Sequence, residues 1–266
     1  MSKREDNLFS SNKDIWASED MVKGYFSRNH LYGPERRVLD KFRSELNHMR
    51  MLDIGVGAGR TTHFFANLVK EYIGIDYSMG MINACRQKFG NAPGNISFEV
   101  CDTRSLAPFQ DNYFDFILFS FNGIDCIDHE DRLKALREIH RVGKNGALFL
   151  FSTHNLERAD TLLRVKLSFH PRALINEFRR VTSVRLLNKD FRKFKSMDYA
   201  IINEPYYGSQ IKAYYIKPKE QVKQLEDAGF RNIAAHSSSD GKEILDRSKS
   251  YAELDDWVYF SCNIYK

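Results

Sequence analysis

The sequence is poor in cysteine and has no apolar run long enough to cross a bilayer. Its four cysteines are scattered, and none forms a Cys-x-x-Cys pair. This distribution indicates neither a zinc site nor a disulfide framework, so no metal is predicted and the reduced thiols of a cytoplasmic protein are expected. The polar start, Met-Ser-Lys-Arg-Glu-Asp-Asn, lacks the apolar core of a signal peptide. The run Ala147 to Phe151 is too short to span a membrane, and no membrane partner is predicted.

The rest of the composition is ordinary for a folded protein. Hydrophobic residues make up 42% of the 266 residues and charged residues 28%. These fractions are typical of a globular chain, and the length indicates one large domain or one domain with an insertion. The net charge of +5 does not by itself indicate any class of partner.

The most informative stretch is Met-Arg-Met-Leu-Asp-Ile-Gly-Val-Gly-Ala-Gly-Arg, residues 49–60. A short apolar strand runs into Gly55, Gly57 and Gly59, and an amphipathic helix follows. Such a strand, turn and helix brings backbone N–H groups and a helix N-terminus close to a ligand. Glycine suits the turn because it allows unusual backbone angles and leaves room for the ligand.

The spacing of these glycines excludes two familiar phosphate-binding loops. A dinucleotide fingerprint places its third glycine three residues after the second, and a Walker loop ends in Lys followed by Ser or Thr. Neither pattern is present. The carboxylate of Asp53 would also repel a pyrophosphate, and it suits a ligand with a positively charged group.

Strands and helices alternate five times through the first part of the chain. The predicted strands are 51–54, 72–76, 96–100, 114–121 and 147–151, with helical patterns between them. This alternation predicts a doubly wound, mostly parallel sheet. Two later strands, 211–216 and 257–265, are interpreted as a terminal antiparallel pair.

The segments outside this alternation suggest a division of the chain. Residues 1–34 are predicted to form a helical lid, and 35–266 the main domain with a helical insertion at about 156–204. From 156 to 195, eleven Lys or Arg residues stand against four acids, so this segment carries about +7 and the remainder about −2. Such a charge run is most often a solvated helical face.

Polar residues follow each predicted strand. Asp76 ends the second strand, Asp102 and Thr103 follow the third, and Phe119 and Ser120 end the fourth. Parallel strands present their carboxyl ends at one edge of the sheet, where ligands bind. These groups are therefore expected to surround the glycine loop. Capping of the next helix is the structural alternative for Asp76.

The glycine loop and these strand ends together resemble class I S-adenosylmethionine (SAM) methyltransferases over about residues 35–155 and 205–266. The resemblance implies a Rossmann-like sheet of seven strands with a terminal antiparallel strand, and SAM as the cofactor. In that family the acid after strand 2 binds the ribose and the acid after strand 3 faces the adenine amine. The cofactor-binding residues that it implies are Asp53, Gly55, Gly57, Gly59, Asp76, Tyr77, Asp102, Thr103, Phe119 and Ser120.

The catalytic groups are less clearly indicated, because a base is needed only when the acceptor carries a proton at the reaction pH. His154 lies just past strand 5 and titrates near neutrality, so it is a candidate base; its structural alternative is a loop residue that caps the next helix. Tyr25, from the lid, is a second catalytic candidate. Other candidates are Trp16, His30, Asn122, Asp125, Asn155, Tyr206, Tyr207 and Tyr214.

The acceptor is the part of the function that the residues leave open. The preferred hypothesis is methyl transfer to an O or N atom of a small molecule, acidic or phosphorylated in view of the basic insertion. Methylation of tRNA or rRNA through that insertion is the alternative within enzymes, although the segment has no RNA-binding module signature. A non-catalytic SAM-fold binding protein is the alternative from another class, and the glycine spacing disfavours a NAD-dependent dehydrogenase. Nothing indicates an oligomeric state.

Overall fold

The computed structural model describes residues 12, 15–16, 18–91, 94–189, 191–206, 209–244 and 255–266. The helices are α1 (Glu19–Phe26), α2 (Gly33–Phe42), α3 (Thr62–Phe65), α4 (Met79–Phe89), α5 (His129–Val142), α6 (Pro171–Leu187) and α7 (Pro218–Asp227). The strands are β1 (Arg50–Ile54), β2 (Glu71–Asp76), β3 (Ile96–Val100), β4 (Phe114–Phe119), β5 (Gly143–Asn155), β6 (Tyr199–Tyr206), β7 (Ser209–Ile216), β8 (Phe230–Ser237) and β9 (Trp257–Ile264). Short 3₁₀ turns span Leu46–His48, Gly123–Cys126, Leu156–Leu163 and Phe191–Ser196.

One twisted sheet organises the chain. Strands β3, β2, β1, β4 and β5 lie side by side in that order and run parallel. Strand β9 then pairs antiparallel with β5, and β8 pairs antiparallel with β9. This arrangement confirms the prediction of a doubly wound, mostly parallel sheet that ends in an antiparallel strand.

Both faces of the sheet are buried, as a parallel sheet requires. In β4, Phe116 and Leu118 face one apolar cluster, while Ile117 and Phe119 face the other. Helix α5 covers the second cluster with Leu136 and its neighbours, and helices α2 and α4 cover the first. The near-continuous apolar sequence of β4 follows from this two-sided burial.

The insertion differs from the helical segment that its sequence suggested. Its helical segments end at Ser196, and the chain then enters the hairpin β6–β7, so the helix expected up to residue 204 was wrong for its last residues. Alternate residues Ala200 and Ile202 are buried, which is the two-residue period of a strand. The hairpin raises the number of strands from the predicted seven to nine over the described residues.

The hairpin lies beyond the carboxyl end of β4. Strand β4 ends at Phe119, which pairs with Phe151, while β5 continues to Asn155. The part of β5 that extends beyond β4 pairs in parallel with β7. Its His154 lies opposite Tyr215, and its Asn155 lies opposite Ile216. The hairpin therefore projects over the edge where ligand groups gather.

The late strands pair differently from the prediction. The segments 211–216 and 257–265 were expected to pair with each other, but β7 pairs with β6 and β9 pairs with β5 and β8. Both segments are strands as expected. Their partners were missed because β6 and β8 were not recognised as strands, and local patterns alone do not select a partner.

The N-terminal elements pack on the glycine-loop side of the sheet. Met21 of α1 contacts a cluster that includes Ala58, Met81 and Ile211, so α1 bridges the glycine loop, α4 and the hairpin. The boundary predicted at residue 34 remains a prediction, and residues 1–11 lie outside the described part. Over the described residues, no helix combines the length and apolarity needed to cross a membrane.

Candidate functional site

A cavity opens at the carboxyl ends of the parallel strands, between α1 and the hairpin. It is lined by Trp16, Tyr25, Asp53, Ile54, Gly55, Val56, Gly57, Ala58, Arg60, Thr61, Asp76, Tyr77, Met81, Cys101, Asp102, Thr103, Phe119, Ser120, Phe121, Asn122, Gly123, Asp125, Cys126, Ile127, His154, Glu204, Ile211 and Ala213. All the predicted cofactor-binding residues except Gly59 are among them. Both catalytic candidates, His154 and Tyr25, also reach this cavity.

The glycine loop adopts a conformation that other residues reach only with strain. Gly55, Gly57 and Gly59 have φ values of +63°, +55° and +80°, in the left-handed region. A Cβ on Gly59 would lie 2.4 Å from the Phe89 ring, so this glycine, which does not line the cavity, allows α4 to pack closely. A Cβ on Gly57 would meet only the Tyr25 ring, at 3.6 Å. Gly57 thus keeps the cavity floor open.

Asp76 joins this loop to the start of α4. Its Oδ2 accepts a hydrogen bond from the Gly57 N–H at 3.0 Å, and its Oδ1 accepts one from the Ser78 N–H at 2.9 Å. Burial raises the pKa of Asp76 to about 6, although the two N–H groups oppose the shift. Each carboxylate oxygen accepts only one of these bonds and can still accept a ligand hydroxyl. The Ser78 hydroxyl, rather than Asp76, caps α4 by accepting from the Met81 N–H.

The sequence suggested that Asp53 faces a ligand, and in the structure it also bonds to other parts of the protein. Its Oδ2 accepts hydrogen bonds from the hydroxyls of Thr61 and Tyr72, the latter at 2.6 Å. Burial raises the pKa of Asp53 to about 6 against these bonds. This carboxylate therefore ties β1 to β2 and to the turn before α3 while it lines the cavity.

The groups after β2 and β3 form one wall. Both carboxylate oxygens of Asp102 accept from the Arg104 guanidinium, which also bridges to Asp131. The adenine-facing acid of the sequence interpretation is thus already ion-paired, although it still lines the cavity. The Thr103 hydroxyl oxygen is buried and makes no hydrogen bond to any described residue. Burial raises the pKa of Tyr77, so its phenol stays protonated.

Strand β4 ends in a tight left-handed turn. Phe121 and Asn122 have φ values of +55° and +58°, and the Asn122 N–H donates to the Ser152 hydroxyl. Non-glycine residues in this region carry strain, which persists when the surroundings hold it in place. The turn presents the Phe121 ring and the Asn122 amide to the cavity.

A buried ion pair that the sequence analysis missed locks α2 to the glycine loop. The Arg60 guanidinium donates to both oxygens of Glu35, at 2.7 and 2.6 Å, and to the Ser120 hydroxyl at 2.9 Å. The Tyr259 hydroxyl also donates to Glu35. Burial alone would raise the pKa of Glu35, but Arg60 outweighs it and holds the pKa below its usual value. The position of Arg60 directly after the glycines gave no sign of a partner 25 residues away in the sequence.

His154 and Asp125 form a second pair in the cavity lining. The Asp125 Oδ2 lies 2.7 Å from the His154 Nδ1 and accepts from the His154 backbone N–H at 2.7 Å. Burial lowers the pKa of His154, but the bond to Asp125 outweighs it and raises the pKa above its ordinary value. The imidazole stacks on the Tyr215 ring of the hairpin, with centroids 4.6 Å apart.

Asn122 extends this pair toward the cavity. Its amide Nδ2 lies 3.2 Å from the His154 Nε2, so it donates when the imidazole carries its proton on Nδ1. Its amide oxygen is buried and accepts no hydrogen bond from the described residues. A chain of polar groups therefore runs from Asp125 through His154 to an amide oxygen at the cavity wall.

The fully buried Arg132 supports this series of polar groups through Asp125. The Arg132 guanidinium donates to the Asp125 Oδ1 at 2.6 Å, to the Thr153 hydroxyl at 3.0 Å and to the Gln221 side chain. The Thr153 hydroxyl also donates to Asp125. These contacts come from α5, β5 and α7, and they fix the orientation of Asp125.

The remaining candidates divide by position. Trp16 lines the cavity, whereas Asn155 and Tyr214 do not. The Asn155 side chain hydrogen-bonds to the Asp255 carbonyl and to the Glu157 N–H, and the Tyr214 hydroxyl hydrogen-bonds to the His129 ring. The His30 carbonyl accepts from Arg60, and its ring packs on Tyr32 outside the cavity lining. Tyr207 and the side chain of Tyr206 lie outside the described residues. The hairpin contributes Glu204, Ile211 and Ala213 instead, which the sequence analysis did not single out.

The charges of the cavity do not match a phosphorylated acceptor. Among its described lining residues, five are acids and Arg60 is the one lysine or arginine. Arg60 is already paired with Glu35. No described lysine or arginine of 156–195 reaches the lining. The basic insertion therefore does not supply an anion-binding cavity wall, contrary to the expectation drawn from its charge.

The comparison with known sequences points to one kind of protein. A family profile described as a methyltransferase domain matches residues 51–146. The ubiquinone/menaquinone biosynthesis C-methyltransferase UbiE of Vibrio vulnificus is 28% identical over 211 residues, which cover 76% of this chain and 72% of that protein. The uncharacterized methyltransferase YcgJ of Bacillus subtilis is 37% identical over 108 residues, 40% of each chain.

Solved structures share the fold at lower sequence identity. An S-adenosylmethionine-dependent methyltransferase from Clostridium acetobutylicum superposes with a TM-score of 0.60 at 14% identity, covering 88% of this chain and 92% of that one. A SAM-dependent methyltransferase from Methanosarcina mazei gives 0.55 at 21% identity, with 86% and 98% covered. At these low identities the solved structures show only that the fold is shared. The family profile, in contrast, covers the glycine loop and the strands whose ends line the cavity. Sequence, fold and cavity agree that the chain is a class I S-adenosylmethionine-dependent methyltransferase.

Proposed function

We propose that this enzyme methylates a small, largely apolar acceptor at a carbon atom next to the carbon that bears an acidic hydroxyl group, as in a phenol or an enol. The chain from Asp125 through His154 to Asn122 carries this proposal. It offers a base and a hydrogen-bond acceptor side by side at the cavity wall. An acceptor with an ionisable hydroxyl matches both.

The cavity fits SAM at its glycine-loop end. Gly57 leaves the cavity floor open, and Asp76 can accept hydrogen bonds from ribose hydroxyls. The buried Thr103 hydroxyl makes no hydrogen bond to the described residues, so it can bond to the cofactor. When bound, SAM supplies an electrophilic methyl group on a sulfonium. The residues proposed to hold SAM or shape its site are Asp53, Gly55, Gly57, Gly59, Asp76, Tyr77, Asp102, Thr103, Phe119 and Ser120.

His154 is proposed as the general base. An acceptor hydroxyl takes the place of the Asn122 amide at Nε2 and gives its proton to that nitrogen, and the Asp125 carboxylate, 2.7 Å from Nδ1, stabilises the imidazolium that forms. Loss of that proton delocalises negative charge onto the carbon next to the one that bears the oxygen and makes it nucleophilic. Once methylated, this carbon releases its own proton, which restores the phenol or enol. General-base catalysis of this kind contributes about 10²–10⁴ in rate. The Asn122 amide oxygen is placed to accept a second acceptor hydroxyl or N–H.

Aromatic and aliphatic side chains surround these polar groups. The Tyr25 and Phe121 rings meet edge to face with centroids 5.9 Å apart, and Ile211 and Ala213 of the hairpin also line the cavity. Such walls exclude water and pack against a flat apolar acceptor. Tyr25 is proposed to position the acceptor rather than to exchange its proton.

The relatives support carbon over the O or N atom expected from the sequence. UbiE proteins named as C-methyltransferases match about three quarters of this chain at 28–29% identity. The same base serves carbon and oxygen acceptors, because one deprotonation activates both atoms. The orientation of the acceptor then selects the atom that is methylated.

Methyl-labelled SAM and a panel of hydroxylated aromatic acceptors test the proposal. Each acceptor is paired with an analogue whose hydroxyl is blocked, and the product is identified by NMR. We expect a carbon-bound labelled methyl group, formed only when the hydroxyl is free. A labelled O-methyl or N-methyl product would contradict the carbon assignment, and transfer only to RNA would contradict the acceptor class.

A further inference from the structure

A strongly exposed apolar surface lies on α6 and the segment before it. Leu167 and Phe169 are 91% and 105% exposed, and Ile175, Phe178 and Leu186 are 51%, 55% and 70% exposed. Single exposed apolar residues are common, but five within twenty residues form a surface that needs a partner.

The helical residues of this surface lie on one face. Ile175, Phe178 and Leu186 recur at the spacing of neighbouring helical turns. On the opposite face, Val181 and Val184 are buried, and Asn188, just after the helix, exchanges hydrogen bonds with Asn203 of β6. The apolar stripe is therefore not part of the contact that holds α6 to the hairpin.

Basic side chains flank the apolar stripe. Arg172, Arg179 and Arg185 are exposed on the same side of α6. The acid of this helix, Glu177, is turned away, and it pairs with Arg180 and accepts from the Lys166 N–H. The outward face thus combines positive charge with large apolar side chains. We call Leu167, Phe169, Arg172, Ile175, Phe178, Arg179, Arg185 and Leu186 the α6 surface.

We propose that the α6 surface docks on an anionic phospholipid bilayer. A helix with Phe and Leu beside Lys or Arg inserts its apolar side chains at the boundary of headgroups and acyl chains, while the cations contact anionic headgroups. Leu167 and Phe169, exposed in the segment that leads into the helix, would enter the bilayer with the stripe. The segment 156–195 carries a net charge of about +7, which complements an anionic surface.

Two other occupants fit the surface less well. A second copy of the chain in a symmetric dimer would place the stripe against itself and bring Arg179 and Arg185 close to their own copies. Single-stranded RNA would use stacking on aromatic rings. Three of the five apolar side chains, Leu167, Ile175 and Leu186, are aliphatic and offer no ring for this purpose.

Docking there would set the orientation of the cavity relative to the bilayer. Helix α6 packs on β6, and the same hairpin supplies Glu204 and Ile211 to the cavity lining. The bilayer would therefore lie on the hairpin side of the cavity. The proposal does not depend on which acceptor the enzyme methylates.

Vesicle flotation of the full chain tests the proposal. We expect binding to vesicles with about one third phosphatidylglycerol, weak binding to phosphatidylcholine alone, and release as salt rises. The double variant Arg179→Glu, Arg185→Glu should weaken binding at least about tenfold. The double variant Leu167→Ser, Phe169→Ser should weaken binding as well. Because both side chains are exposed, these substitutions should not affect folding.

Matched variants elsewhere on the surface control for charge and apolarity. Arg137→Glu with Lys223→Glu makes the same change of charge, and Tyr265→Ser removes an exposed ring, all outside the α6 surface. These should leave vesicle binding within about twofold of wild type. SAM affinity should be unchanged in every variant. Equal binding to neutral and anionic vesicles, no vesicle binding, binding only to RNA, or a dimer lost in the arginine variant would each overturn the proposal.

Discussion

Two buried arginines each hold a polar cluster that reaches the cavity, and their surroundings differ in one instructive respect. Arg60 pairs with Glu35, and the hydroxyls of Ser120 and Tyr259 complete the cluster. Arg132 pairs with Asp125, but that cluster continues through His154 to Asn122, whose amide oxygen accepts no bond from the described residues. The Arg60 cluster is closed, and the Arg132 cluster is open toward the cavity.

This difference separates a structural role from a chemical one. A closed buried cluster satisfies its members and fixes the elements that supply them, here α2, the glycine loop, β4 and β9. An open cluster holds a titratable group in one orientation and leaves part of it for a ligand. Both clusters are thus expected to stabilise the fold, but only the Arg132 cluster should influence the methyl transfer directly.

The largest expected effect is the loss of His154 from the open cluster. His154→Ala should reduce turnover by about 10²–10⁴, because it removes the proposed base. SAM affinity, measured by calorimetry, should change little. Tyr259→Phe removes one hydroxyl from the closed cluster and serves as the control, with turnover expected within about threefold of wild type. Equal turnover in His154→Ala would remove this residue from the mechanism.

The closed cluster should show its effect in stability. Glu35→Gln leaves the buried Arg60 without its counter-charge and should cost about 3–5 kcal/mol in the free energy of unfolding. Urea denaturation measures this loss. Since the pKa of Glu35 is depressed in the folded state, its contribution is present above its unfolded pKa and is lost as pH falls through the folded value. The wild type should therefore lose its advantage over the variant in acid; a constant difference would contradict the buried ion pair.

A smaller effect is expected at the glycine-loop end of the cavity. Asp76→Ala should weaken SAM binding by about 1–3 kcal/mol, because a charged acceptor is lost. Asp102→Ala is the comparison, and its effect should be smaller because Arg104 already occupies that carboxylate. Calorimetry measures both. Unchanged affinity in Asp76→Ala would exclude it as a ligand of the cofactor.

The smallest predicted change concerns pH. Turnover should rise as His154 loses its proton, with a midpoint above the ordinary histidine value of 6.5 because Asp125 stabilises the imidazolium. Asp125→Asn should move that midpoint down to or below 6.5, since the raising interaction is removed while burial still lowers the pKa. The pH dependence of turnover under saturating substrates tests this. A midpoint that stays in place would mean that the pair does not control the proton.

The sequence predicted the lining residues near the glycine loop better than those near the hairpin. Gly55, Asp76 and Thr103 follow their strands directly, and parallel strands bring such positions together at one edge. Glu204 and Ile211 belong to a hairpin whose first strand looked helical, and nothing local indicated that β7 would join the end of β5. His154 was a candidate from its position, but its partner Asp125 was one of several.

The sequence by itself determined the alternation of strands and helices, the glycine loop and the acids at the strand ends, because these depend on periods and spacings within short stretches. Only the tertiary structure decided that Arg60 meets Glu35, that Arg132 and Asp125 hold His154, and that a hairpin covers the cavity. Those contacts join residues far apart in the chain. Their free energy comes from ion pairs and hydrogen bonds in a low-dielectric interior and from packed surfaces, which exist only when the whole domain has folded.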